Sequence, residues 1–215
     1  MISADIHKPV RMACMISGGG RSVVNLQNAI AHKNIPVSIV LVASTRPNVP
    51  GIQAAAALGI PTREIPPLPA DTLDDRVDAE LKNVGAELIV LAGYLRLLRV
   101  EHWKNRCINI HPSLLPKYGG HGMWGEHVHN AVIAAGENES GCTVHWADEK
   151  FDQGSIILQR RCPVDRTMSA QQLAQRVFEE ERVALPEAVA RVANWLRHGG
   201  TRPIFGNAIE PRAGI

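Results

Sequence analysis

"AELIVLAG", residues 86–93, decides how the rest of the chain is read. It is a continuous apolar run, far too short to span a membrane and lacking the polar–apolar alternation of a strand with one wet face. Such a strand is covered on both sides, as in parallel sheets whose crossover helices lie over both faces. Outward from it, "VRMACMI" (10–16) and "VSIVLVAS" (37–44) have the same character, and "RCINIH" (106–111) is a further strand. Helical patterns fill the gaps. "VVNLQNAIAHK" (23–33) has helical spacing, and "PGIQAAAALGI" (50–60) is Ala-rich and closed by Gly59 ahead of Pro61. "DTLDDRVDAELKNVG" (71–85) is a polar helix, and "LLRVEHWKN" (97–105) a short one. Strand alternating with helix predicts an α/β fold with a parallel sheet and right-handed crossovers.

The second half changes character. "GEHVHNAVIAAGE" (125–137) is helical, and "GCTVHWADE" (141–149) and "SIILQRRCPV" (155–164) are strands joined by the turn-rich "KFDQG". A long helical segment (169–200) is expected to break at Pro186, and the tail from Thr201 to be irregular. With no internal repeat or low-complexity linker, residues 1–215 read as one domain.

Composition excludes several function classes. Apolar residues make up 45% and charged ones 20%, which allows a sizeable core. The formal charge of +2 comes without any block of one sign, so neither nucleic acid nor membrane is an expected partner. Small molecules are, with the chain a monomer or homodimer. Cys14, Cys107, Cys142 and Cys162 are far apart and form no C-x-x-C pair, against a zinc knuckle or redox motif. Thiols inside apolar runs, and an N-terminus without a signal-peptide pattern, fit a reducing cytoplasm.

Three stretches carry chemistry. "SGGGRS" (17–22) follows the first strand and opens the first helix, where backbone N–H groups gather anions. The dinucleotide fingerprint fails: Val23 stands where its third glycine belongs, and the second strand ends in Ser44 and Thr45 rather than an acid. The loop is therefore a phosphate loop without dinucleotide specificity, or a tight turn that binds nothing. His111, His121, His127 and His129 cluster in sequence. A metal is disfavoured, because His127 and His129, two apart on a helix, point to different sides.

Asn109 and His111 project from one face of a strand at its C-terminal end, where open α/β sheets bind ligands. Two donors aimed at one point describe an oxyanion site. Equally, Asn109 could cap a loop while His111 packs beneath Leu114 and Leu115. Asp152 is either a turn residue or a carboxylate that charges a nearby histidine. His145, alternating with Thr143, either faces the same cleft or is a half-buried strand histidine.

"LAGYLRLL", "NIHPSLLPKY", "GCTVHWADEKFDQGSIILQ" and "ERVALP", in this order and at this spacing, resemble the glycinamide ribonucleotide formyltransferase family, folate-dependent enzymes of purine synthesis. The resemblance covers roughly residues 10–190. It implies the formyltransferase fold: a Rossmann-like, mostly parallel sheet with helices on both faces. About residues 10–105 would form the half that binds the acceptor phosphate, and about 106–200 the half that holds folate and catalytic groups. The implied donor is 10-formyltetrahydrofolate, with no metal. Asn109, His111 and Asp152 match the catalytic trio, with protonated His111 and Asn109 stabilising charge on the formyl oxygen and Asp152 sustaining the imidazolium. Gly19, Gly20, Arg21, Ser22 and Asn25, with Gly93 and Glu181, match the acceptor site. Leu95, Arg96, Leu97 and Leu98, together with Asn109 and the loop of Asp148, Glu149, Lys150, Phe151 and Asp152, match the folate pocket. His145 is a further cleft candidate.

The chain departs from the family pattern in having extra residues between the loop glycines and Asn25, and an insertion around Trp124 near the cleft. Arg76 is the nearest candidate for the family's second folate-contacting arginine. Formylation of an amino-sugar nucleotide, hydrolysis of the formyl donor, or folate or nucleotide binding without catalysis are the competing readings.

Overall fold

A computed structural model of the chain describes residues 8–68 and 72–205. In chain order the elements are β1 (Val10–Ile16), α1 (Arg21–Lys33), β2 (Val37–Ser44), α2 (Pro50–Ala57), β3 (Thr62–Glu64), α3 (Leu73–Asn83), β4 (Leu88–Leu91), β5 (Cys107–His111), α4 (Glu126–Ala134), β6 (Glu139–Trp146), β7 (Ile156–Pro163) and α5 (Ala170–His198). The strands form one sheet in the order β3-β2-β1-β4-β5-β6-β7. Neighbours from β3 to β5 are parallel, whereas β6 runs antiparallel to both β5 and β7. This is the expected α/β architecture, with a hairpin closing one side.

The continuous apolar strands are covered on both faces. Met12, Cys14 and Ile16 of β1 share a core with Val23 and Leu26 of α1 and Leu185 and Val189 of α5. The alternate residues Ala13 and Met15 share another with Val77 and Leu81 of α3 and with Trp103. The period of two along a strand divides one apolar run between two cores.

Several local expectations are corrected. β3 is a polar edge strand, Thr62-Arg63-Glu64, with no apolar run to announce it; pairing with β2 creates it. The helix expected over 97–105 shrinks to one 3-10 turn, Glu101–Trp103. Regular structure within 86–93 is confined to Leu88–Leu91. The tail beyond residue 205 lies outside the described residues.

The break expected at Pro186 does not occur: α5 is one helix of 29 residues, opened by a Ser169–Gln172 capping box. Proline withholds the N–H that would bond the Arg182 carbonyl. That carbonyl instead accepts from Asn25 Nδ2 at 3.0 Å, and Arg182 Nε donates back to Asn25 Oδ1 at 3.2 Å. A side chain from α1 thus supplies the donor that α5 lacks.

β1 lies between β2 and β4, so the strand order reverses there and a crevice opens beyond the strands' C-terminal ends. Its two lips are tied together: Ser17 N donates to the Gly93 carbonyl (3.0 Å) and Leu95 N to Ser17 Oγ (3.1 Å). The glycine loop rests on the start of α2. Gly20 has φ +70°, and a Cβ there would lie 2.7 Å from Gly51 Cα; a Cβ on Gly51 would lie 2.6 Å from the Gly18 carbonyl oxygen. Neither position admits a side chain.

Candidate active site

Asn109 and His111 lie on β5, and its antiparallel pairing with β6 sets Asn109 opposite His145 and His111 opposite Thr143. The loop after β6 then turns back, with Asp152 in the left-handed region (φ 58°), a conformation that aspartate tolerates better than most residues. Its carboxylate becomes the hub of the cluster. Asn109 Nδ2 donates to Asp152 Oδ1 (3.2 Å) and Gly120 N to Oδ2 (2.9 Å). His145 Nε2 lies 3.4 Å from Oδ1, and His111 Nδ1 3.4 Å from Oδ2.

Carbonyl partners settle the tautomers, because a carbonyl only accepts. His145 Nδ1 donates to the Trp146 carbonyl at 2.9 Å, which leaves Nε2 to accept from Asn109 Nδ2 at 3.0 Å in the neutral ring. His111 Nε2 donates to the Tyr118 carbonyl at 2.8 Å, leaving Nδ1 toward Asp152.

Burial lowers the His111 pKa below its ordinary value; Asp152 and the Tyr118 carbonyl oppose this, but the net direction is down, which favours the neutral imidazole in the free chain. Asp152 is itself buried, which raises its pKa, yet the Gly120 N–H and the two histidines, in their charged form, outweigh burial and hold it below the usual range.

These groups open onto a cavity of about 360 Å³. Of the residues expected at the site, Gly19, Gly20, Arg21 and Ser22 line it, as do Gly93, Leu95, Arg96, Leu97 and Leu98. Asn109, His111, His145, Asp148, Lys150, Phe151, Asp152 and Glu181 complete the convergence. The Glu181 side chain makes no hydrogen bond among the described residues, and its burial pushes the carboxyl up to about 7 against the pull of Arg21.

Asn25, Glu149 and Arg76 are not among the lining residues. Asn25 turns to α5, one helical turn beyond Arg21 at the start of α1. Arg76 Nη1 donates to the Pro66 carbonyl at 3.0 Å.

The sequence reading missed three participants. Gly51 supports the glycine loop, the Tyr118 carbonyl fixes the His111 tautomer, and His129 lines the cavity. Only His129 had a signal, as a member of the histidine cluster that the sequence offered as metal ligands. The insertion does reach the cavity: Trp124 lies at its wall, 47% exposed, with its ring edge-on to His127. Among the described residues no group of three or more His, Cys, Asp or Glu is arranged to hold a metal ion, and no helix is long and apolar enough to cross a membrane.

At the strand-order reversal the crevice thus carries a glycine loop on one lip and an Asn–His–Asp cluster on the other. The family model described as "Formyl transferase" matches residues 10–189, and the chain belongs to that family. It is 39% identical over 192 residues to the trifunctional purine biosynthetic protein adenosine-3 of Drosophila melanogaster, covering 86% of this chain but 14% of that one. It is 32% identical over 223 residues to the chloroplastic phosphoribosylglycinamide formyltransferase of Arabidopsis thaliana, covering 98% of this chain and 76% of that one. The crystal structure of glycinamide ribonucleotide transformylase 1 from Symbiobacterium toebii superposes with a TM-score of 0.80 at 31% identity, over 86% of this chain and 88% of that one.

Proposed function

We propose that the chain transfers the formyl group of 10-formyltetrahydrofolate to the amine of glycinamide ribonucleotide, a step of purine synthesis. The observation that carries this reading is the Asp152-centred cluster of Asn109, His111 and His145, set in one cavity between the glycine loop and the Leu95–Leu98 segment.

The lining fits a folate on one side. Leu95, Leu97 and Phe151 offer apolar walls, with Leu97 40% exposed at the mouth, and the 148–152 loop supplies polar edges. When bound, the folate supplies an activated formyl carbon. Asn109, whose two Nδ2 hydrogens meet His145 Nε2 and Asp152 Oδ1 in the free chain, turns one of them to the formyl oxygen as negative charge grows there. His111 takes the proton that the attacking amine loses at Nδ1, its one unprotonated nitrogen, by way of water, and passes it to the departing nitrogen, while Nε2 stays on the Tyr118 carbonyl. Asp152, ionised and 3.4 Å away, stabilises the imidazolium in between.

On the other side, Gly19, Gly20, Arg21 and Ser22 hold the acceptor's phosphate at the α1 N-terminus, and Glu181 contacts its ribose. Leu95–Leu98 and Glu181 each fall outside the half of the chain expected to hold their ligand, so we read one domain in which the two substrates meet across a shared sheet. The partners are small molecules, and the buried free thiols fit a cytoplasmic setting.

The test is release of deformylated folate, followed by absorbance, with and without glycinamide ribonucleotide. Acceptor-dependent release supports the assignment; release without acceptor makes the chain a hydrolase, and binding without release makes it a binding module. Gly19→Val should raise KM for the acceptor much more than for the folate, since Gly19 has no neighbour within 4 Å and a side chain there meets only the ligand.

A further inference from the structure

His129 of α4 is not accounted for by that scheme. It is 3% exposed, lines the same cavity as Gly19, Arg21 and Glu181, and its Nδ1 has no hydrogen-bond partner among the described residues. Buried imidazole nitrogens are usually paired, because an unpaired one forfeits its hydration. α1 meanwhile opens without an acidic residue in its first turn and without a side-chain cap, which leaves its N-terminal N–H groups available. Arg21 stands at that terminus, its guanidinium 3.9 Å above the Phe178 ring, with no ion pair among the described residues.

The charged and titratable groups around His129 are Arg21 from α1, His111 from β5 and Glu181 from α5, with His127 on its own helix held against Trp124. Burial, Arg21 and His111 together push the imidazole down to about 4, so it is neutral at pH 7 in the free chain.

We infer that His129 is a proton-coupled ligand of the acceptor's phosphate: a phosphate dianion seated at the α1 N-terminus between Arg21 and His129 accepts a hydrogen bond from the imidazole, and the ring takes one proton from solvent as the anion binds. This rests on the reading of Gly19–Ser22 as the phosphate loop and adds to it a ligand from a distant helix. Lifting the ring's titration through pH 7 takes about a thousandfold gain in proton affinity, which two negative charges within about 4 Å exceed. Acceptor affinity then rises as pH falls from 8 toward 7, until the phosphate itself begins to protonate near pH 6.

Calorimetry measures this directly. Glycinamide ribonucleotide, and ribose 5-phosphate as a simpler probe, are titrated into the full chain at pH 7.5 in two buffers of different ionisation enthalpy. The wild type should take up close to one proton per site. His129→Asn should take up none and bind about tenfold or more weakly, whereas Glu181→Gln should keep the uptake. No uptake by the wild type, uptake surviving in His129→Asn, or uptake vanishing in Glu181→Gln each overturns the inference. An NMR titration of the wild-type histidine rings with ribose 5-phosphate makes the test independent of how the variants fold: one imidazole must pass from neutral to charged. Failure of the underlying phosphate-loop reading shows separately, as Gly19→Val binding ribose 5-phosphate as tightly as the wild type.

Discussion

Replacing Asn25 by Ala removes the side-chain donor that reaches the Arg182 carbonyl, which Pro186 has left without its helical partner. Asn25 is half-buried, so water partly replaces the amide, and the loss should be about 1–2 kcal/mol, below that of a fully sealed carbonyl. For a chain of this size that lowers Tm by roughly 3–6 °C. The informative measurement is a double-mutant cycle in urea. Pro186→Ala restores a backbone N–H to the Arg182 carbonyl, so Asn25→Ala should cost about 1 kcal/mol less in that background. Equal costs in both backgrounds would refute the idea that Asn25 compensates the proline. The same variant separates structure from catalysis. Because Asn25 points to α5 rather than into the cavity, KM for the acceptor should stay within about twofold of the wild type after correction for folded fraction. A tenfold rise would return Asn25 to the phosphate site, where the family resemblance had put it.

Four further outcomes are expected. Asp152→Asn should lower kcat by about two to three orders of magnitude and move the His111 titration, followed by NMR, to still lower pH, because the carboxylate that opposes the effect of burial is gone; an unmoved resonance removes the coupling. Stability should fall as pH drops from 6.5 to about 4: the unfolded chain protonates His129 throughout that window while the folded chain resists, at a cost approaching 3 kcal/mol that His129→Asn abolishes. Glu181 has the opposite sign. Its carboxyl titrates near 7 in the fold against an ordinary 4.5, so stability is lost as pH rises through that range, and Glu181→Gln should be more stable than the wild type at pH 8 and equal to it at pH 4. Gly20→Ala should destabilise by at least 1 kcal/mol in denaturant titration, through a strained φ and the 2.7 Å approach to Gly51.

Much of the fold is written locally. Unbroken apolar runs such as residues 88–91 demand cover on both faces, and helices of matching length alternate with them, so a parallel sheet follows from burial and period alone. The spacing of Asn109 and His111 puts both on one face of a strand by the same logic. What sequence order could not settle was everything that depends on which strands and helices become neighbours. β3 exists only because β2 offers it an edge. Pro186 reads as a helix breaker until Asn25 arrives from α1 to bond the freed carbonyl. His145 joins Asn109 only through the antiparallel register of β5 and β6, and Asp152 reaches both histidines only because its loop folds back over them. The charge of His111 turns on the same question. A carboxylate nearby favours the imidazolium, but how far burial counters it depends on how completely the assembled walls exclude water, and here exclusion wins.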